Sequence, residues 1–151
     1  MTTYAAKTEV SVSRSRDEIE RVLSRWGAHS FGYVSTPDRA AIEFVTKDRR
    51  VRFVVAMPDR SDRKFLRTPT GLARTEAAAL KLHDQAVRQR WRALLLLVKA
   101  LLESIEGGIM TFDEAFLPHL VLEDGSTVYE TIGARPERLL NTAQLALGQG
   151  N

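Results

Sequence analysis

The chain has 151 residues, of which 44% are hydrophobic and 27% charged, with no cysteine and a formal net charge of +3. That length supports one hydrophobic core without staples, and the apolar content excludes an intrinsically disordered chain. The missing cysteine excludes disulfides, thiol nucleophiles and thiolate metal sites.

Residues 4–12 alternate loosely and predict a first strand. A helix over 16–26 follows, because Ser15 and Glu18 have capping-box spacing and Ile19, Val22, Leu23 and Trp26 share one face. Gly27 stands where a left-handed residue ends such a helix. Phe31–Val34 reads as a strand stopped by Ser-Thr-Pro-Asp, and Ala40–Thr46 and Val51–Met57 form a hairpin around Lys47-Asp48-Arg49-Arg50. In its second arm Val51, Phe53, Val55 and Met57 point one way and Arg52 the other.

Residues 59–70 are rich in charge and contain Pro69, which predicts a solvated, flexible loop. From about Thr75 to Glu106 the pattern is helical, with Val87, Trp91, Leu94, Leu95, Val98, Leu101, Leu102 and Ile105 as the inner stripe and Gly107-Gly108 as the stop. Such a helix is roughly 45 Å long at 1.5 Å per residue. It should therefore protrude at its basic end or break near Leu82–Asp84. Thr111 and Glu114 cap a short helix that stops before Pro118, and Glu123-Asp124-Gly125 turns a hairpin between 119–122 and 126–129. Pro136 opens a last helix with Leu139, Leu140, Ala143 and Leu147 on one face. The expected architecture is a single α+β domain over residues 1–147, with 148–151 a frayed tail. In it a small antiparallel sheet of three or four strands packs against two or more helices, one of them long.

Charge is uneven along the chain. Residues 1–38 carry five Lys/Arg and five Asp/Glu, residues 39–92 fourteen and six, and residues 93–151 three and eight. A basic centre attracts polyanions. Arg49, Arg50, Arg52, Arg60, Arg63, Lys64 and Arg67 are the candidate phosphate contacts, and Phe65 is the candidate base-stacking ring because no core periodicity claims it. The plain alternative is a solvated turn and loop, with Phe53 in the core.

Arg88 and Arg92 share a helix face, so a counter-charge should lie near them, from Asp84 or from an acid in the C-terminal third. Leu94–Leu97 cover more of the helix circumference than one core stripe needs, which leaves burial within the monomer and a homodimer through the Leu94–Leu102 face both open. His29, His83 and His119 match no metal motif, and the acids Glu103, Glu106, Asp113 and Glu114 could hold a metal only if they converge. No catalytic set, no metal site and no cofactor is assigned. The polar first fifteen residues carry no secretory signal, and the most apolar run, residues 93–102, is about half a membrane span and contains Lys99. A cytoplasmic protein with no membrane partner is expected.

Two blocks, residues 18–33 (EIERVLSRWGAHSFGY) and 88–128 (RQRWRALLLLVKALLESIEGGIMTFDEAFLPHLVLEDGSTV), resemble a family of small tailed-phage and prophage proteins that has no assigned activity. The shared wording is the Arg-Trp-Arg-Ala-Leu helix, the acid-Phe-Leu element and the Leu-x-Asp-Gly hairpin. The resemblance implies a phage or prophage origin, a bacterial host cytoplasm and a place among DNA-metabolism genes. The preferred expectation is thus a non-enzymatic, sequence-nonspecific nucleic-acid-binding protein, for single strands above all. A module docking an acidic host protein is the alternative, and a metal-dependent nuclease ranks below both.

Overall fold

The computed structural model describes residues 11–133, so most of the expected strand over 4–12, the helix from Pro136 and the tail at 148–151 lie outside the described residues, and Val12, the last residue of that strand, is helical instead. The first helix, α1 (Val12–Arg25), begins one turn earlier than the Ser15–Glu18 spacing predicts. Ser11 is the cap, its Oγ accepting from the Arg14 backbone N–H at 3.2 Å, while Ser15 is buried in the helix interior. The earlier start adds Val12 to the apolar face that carries Ile19 and Leu23 against the core. At the other end Gly27 adopts φ +91°, and the Ala28 N–H reaches back to the Leu23 carbonyl to close the helix.

Three strands form one antiparallel sheet in the order β1 (His29–Ser35), β2 (Arg39–Thr46) and β3 (Arg49–Ala56). The β2–β3 turn is tighter than the sequence suggests. Only Lys47 and Asp48 lie in it, both at positive φ, whereas Arg49 and Arg50 already pair with Thr46 and Val45. Two consecutive left-handed residues match the strands' own twist, which is why the shorter turn wins. Alternation then buries Ile42, Phe44, Val51 and Phe53 on the inner face.

The long helix, α3 (Glu76–Glu106), runs 31 residues without a break. Trp91, Leu94, Leu95, Val98 and Leu102 are buried beneath the sheet and α1. Its N-terminal end neither protrudes bare nor breaks, because residues 59–74 fold onto it. Asp62 caps a one-turn helix, α2 (Arg63–Leu66), a bridge joins Arg67 to Ala73, and the Arg74 N–H returns to the Leu66 carbonyl. The expected flexible loop is thus a built element.

After Gly108, which has φ +74°, Thr111 caps α4 (Phe112–Phe116) as its spacing predicts, and a 3₁₀ turn over Leu117–His119 follows. Phe116 meets Phe44 and Phe53 edge-on at 6.4 and 6.1 Å, which joins this end of the chain to the sheet. The expected hairpin around Gly125 shrinks to a single bridge, Val121 to Thr127, and residues 128–133 form a short helix, α5 (Val128–Gly133), in place of a second arm. Thr127 caps that helix and the Glu130 carboxylate accepts from the Thr127 N–H, a reciprocal cap that outcompetes strand pairing. No helix among the described residues is long and apolar enough to cross a membrane.

Candidate nucleic-acid interface

Six of the seven candidate cations fall into two groups, with Arg60 apart from both. Arg50 and Arg52 stand two residues apart on the outer sheet face, and Glu43 lies directly across from Arg52. Both guanidinium groups donate to this one carboxylate, Arg52 Nε at 2.9 Å and Arg50 Nε to the other oxygen. Arg52 also donates to the Gly125 carbonyl at 2.7 Å, tying the sheet to the turn before α5. Partial burial pushes the Glu43 carboxyl up, but the hydrogen bonds and charges of Arg50 and Arg52 outweigh it and hold the group below the ordinary glutamate value. Arg49 faces Asp113 at 3.5 Å, both exposed. Arg50 and Arg52 are therefore tied to a shared carboxylate, while the Arg49 pair is an exposed one of little strength.

The second group is different. Arg63, Lys64 and Arg67 from α2 and its end converge with Arg74, and together with Thr68 and Pro69 they line a concavity of about 350 Å³. Arg67 donates to the Gly71 carbonyl at 3.0 Å, and Arg74 donates to the Arg67 carbonyl at 3.3 Å. A carbonyl positions a guanidinium without cancelling its charge, so these side chains are oriented and still cationic. The nearest acid is Asp62, 3.7 Å from the Lys64 Nζ in an exposed pair of little strength. Arg60 sits round the corner, facing a neighbouring hollow lined by Leu66, Glu76, Leu80 and His83. Arg74 is absent from the sequence-based set, since only the Arg67–Ala73 bridge brings it back to Arg63, and nothing in the sequence announces that closure.

Phe65 is not a stacking platform. Its residue is 5% exposed, and its ring meets His83 edge-on at 5.6 Å, while Lys64 covers it at 5.0 Å. His83 Nε2 donates to the buried Pro58 carbonyl at 2.9 Å, so ring and imidazole together pin the basic segment to α3. Periodicity could not reveal this, because one helical turn is too short to show a period.

The remaining sequence candidates serve structural ends. Arg92 finds its counter-charge in Glu18 of α1, at 3.3 Å, with Lys99 on the same carboxylate at 2.7 Å. Arg88 donates to the Gln85 side chain at 3.1 Å, and among the described residues neither Asp84 nor a C-terminal acid pairs with it. The Lys99 hydrogen bond above all, against the cost of burial and aided by the charges of Lys99 and Arg92, lowers the Glu18 carboxyl. Glu106 accepts from the Trp26 indole at 3.0 Å, and among the described residues no three His, Asp or Glu side chains gather into a metal-holding group. His119 stacks on Phe53 at 4.1 Å, and burial lowers its pKa. A larger groove of about 690 Å³ lies between the β1–β2 turn and α3, walled by Val12, Met57, Val87 and Trp91 with Asp38, Asp59 and Arg60 at its rim. Comparison with known proteins adds no relative: no protein-family model, no curated protein and no solved structure matches this chain.

Proposed function

We propose that this protein binds nucleic acid through the phosphate backbone, without catalysis and without sequence preference, and that Arg63, Lys64, Arg67 and Arg74 form the grip. The observation that carries the reading is the concavity lined by these four cations, two of them oriented by backbone carbonyls and none in a strong ion pair. Phosphates that enter it release their counterions, which drives binding of any sequence. A single strand can follow so small a hollow, whereas a rigid duplex meets only its rim. Arg50 and Arg52 add to the long-range field and make no primary contact, since Glu43 already holds them, and Arg49, in an exposed pair with Asp113, lies outside the concavity. Base stacking by Phe65 is not part of the proposal.

Fluorescence anisotropy with a short labelled single strand tests it. Four phosphate contacts give a log K against log salt slope near −2.8, or about fifty-fold weaker binding at 200 mM than at 50 mM salt. Changing Arg63, Lys64, Arg67 and Arg74 together to Ala should remove that slope with the circular dichroism unchanged. No binding at 50 mM salt overturns the reading.

A second reading has its own support. Leu66, Leu72 and Leu80 are exposed, Leu72 at 68%, and Leu66 and Leu80 line the neighbouring hollow that Arg60 faces. A mixed apolar and basic surface suits an acidic protein partner better than a sugar–phosphate chain. Loss of binding on Leu72→Ser and Leu80→Ser, with oligonucleotide affinity nil, would favour this module.

A further inference from the structure

Arg63, Lys64, Arg67 and Arg74 are gathered around one hollow of about 350 Å³ rather than strung out along a track. An internal phosphodiester brings a single negative charge, and the sugars on either side hold its neighbours apart. So small a space takes one phosphate group with part of its nucleotide. The ligand that answers the four cations best is therefore the phosphate with the most charge in the least volume.

The donors left over after folding favour the same ligand. Arg67 spends an Nη1 hydrogen on the Gly71 carbonyl, and Arg74 spends Nε on the Arg67 carbonyl. A guanidinium carries several further N–H donors, and Arg74 keeps both terminal nitrogens as an open fork. Such forks bind phosphate oxygens in pairs. Lys64, which lies over the Phe65 ring at 5.0 Å, and Arg63 add charge from the same wall. A phosphodiester offers two free oxygens, whereas a terminal monoester offers three and carries about −1.5 to −2 at neutral pH. Pro69, in the lining too, presents apolar surface to the sugar.

We propose that the hollow recognises the end of a strand. It takes a terminal phosphate monoester, and the internal phosphates that follow pass over its rim. The inference rests on the nucleic-acid reading above and adds which part of the strand is read. Arg60 faces the neighbouring hollow and takes no part in holding the end.

Three internally labelled single strands of one sequence test it, one with a 5′ phosphate, one with a 3′ phosphate and one with hydroxyls at both ends. One extra charge at contact distance from a surface cation gains about fivefold in affinity. At pH 8 and 50 mM salt, at least one phosphorylated strand should bind the wild-type protein that much tighter than the hydroxyl-ended strand. The gain should fall below twofold at pH 5, because the monoester, with a second pKa of about 6, then carries one charge as a diester does. Asp62, Glu76 and His83 stand on the elements around the hollow, but every strand meets them alike, so the ratio reports the proton on the ligand. Equal binding of all three strands at pH 8 overturns the inference and leaves the nucleic-acid reading standing, whereas no binding of any strand removes both. A gain that persists at pH 5 overturns the inference as well, since the second charge is then not what is read.

Competition identifies the source of the monoester. A nucleoside monophosphate and a phosphoserine peptide should each displace the phosphorylated strand at least tenfold less well than its own unlabelled copy, because neither reaches the rim as a strand does. A nucleotide or a peptide that competes as well as the strand would assign the hollow to that ligand and overturn the inference. Substitution locates the contact. Arg67→Ala with Arg74→Ala should bring the gain below twofold with unchanged circular dichroism, while Arg60→Ala should keep it whole. A full gain in the double variant, or its loss in Arg60→Ala, also overturns the inference.

Discussion

Arg50 and Arg52 share one carboxylate, whereas Arg67 and Arg74 rest on backbone carbonyls, and Arg52 and Arg67 are only 15 residues apart in the chain. The contrast arises from local structure. A strand places i and i+2 on one face and sets a cross-strand neighbour opposite, so one well-placed Glu43 holds two arginines and offsets one of their charges. A one-turn helix followed by a tight loop has no such neighbour, so Arg67 and Arg74 rest on carbonyl dipoles and Lys64 has only an exposed pair with Asp62. A run of positive residues in a sequence is therefore not yet a positive surface. The surface is what remains after the fold has paired the charges it can.

The largest effect that bears on this contrast belongs to Phe65. If its ring organises the basic concavity from beneath, Phe65→Ala should destabilise by about 3 kcal/mol, the low end for a buried phenylalanine because the residue lies outside the main core cluster. Urea denaturation measures this. Phe65→Leu fills most of the space and should recover most of the stability together with any oligonucleotide binding. A stacking residue would behave in the opposite way, with binding lost in both variants and stability nearly untouched.

Next in size is Glu43→Gln. The carboxylate is 27% exposed and accepts from two guanidinium groups, and hydrogen bonds to charged partners contribute about 1.5–3 kcal/mol. A loss of about 1.5 kcal/mol is expected. The same variant frees the hairpin arginines, so it also tests the division of labour. Oligonucleotide affinity should rise less than threefold, and a tenfold gain would show that the hairpin belongs to the interface after all.

Acid should act on the compensated charges first. Glu43 and Glu18 both have pKa values below their ordinary 4.5, so each contributes stability that is fully present above that value and is lost as pH falls through the lowered one. Urea midpoints should thus be level near neutral pH and decline below about pH 4.5. In Glu43→Gln the decline should be shallower, because one of the two titrating carboxylates is gone. An identical decline in both proteins would mean that Glu43 is not held by its arginines.

The contrast also marks how far the sequence could be read. The α+β class, the hairpin arms and the long helix follow from periodicities of two and 3.6 that span six residues or more, and Thr111 and Gly27 act locally as their spacing implies. What escaped was short or distant. The true cap at Ser11 competed with an equally good Ser15, and α5 replaced a strand because Thr127 and Glu130 cap each other. The Arg92 partner lies 74 residues away, a choice made by tertiary packing, and the Arg52 partner was set by the hairpin register. Arg74 joined the basic concavity through a bridge that no pattern encodes.

The smallest expected effect is the one that isolates function from fold. Arg63 and Arg67 are exposed, and neither appears in an ion pair among the described residues. Substitutions at such sites usually change stability by less than 0.5 kcal/mol in either direction. Arg63→Ala with Arg67→Ala should thus shift the urea midpoint hardly at all, even though Arg67 loses its bond to the Gly71 carbonyl, because that bond lies at the surface where water replaces it. Relief of repulsion among four neighbouring cations works in the other direction and can offset the lost bond. The outcome should also depend on salt: any stabilisation from removing like charges should shrink between 50 and 500 mM, as screening shortens the reach of the repulsion. A loss above 1 kcal/mol at both salt concentrations would mean that these arginines hold the segment together, as Arg52 holds the hairpin, and the two clusters would then differ in their partners but not in their purpose.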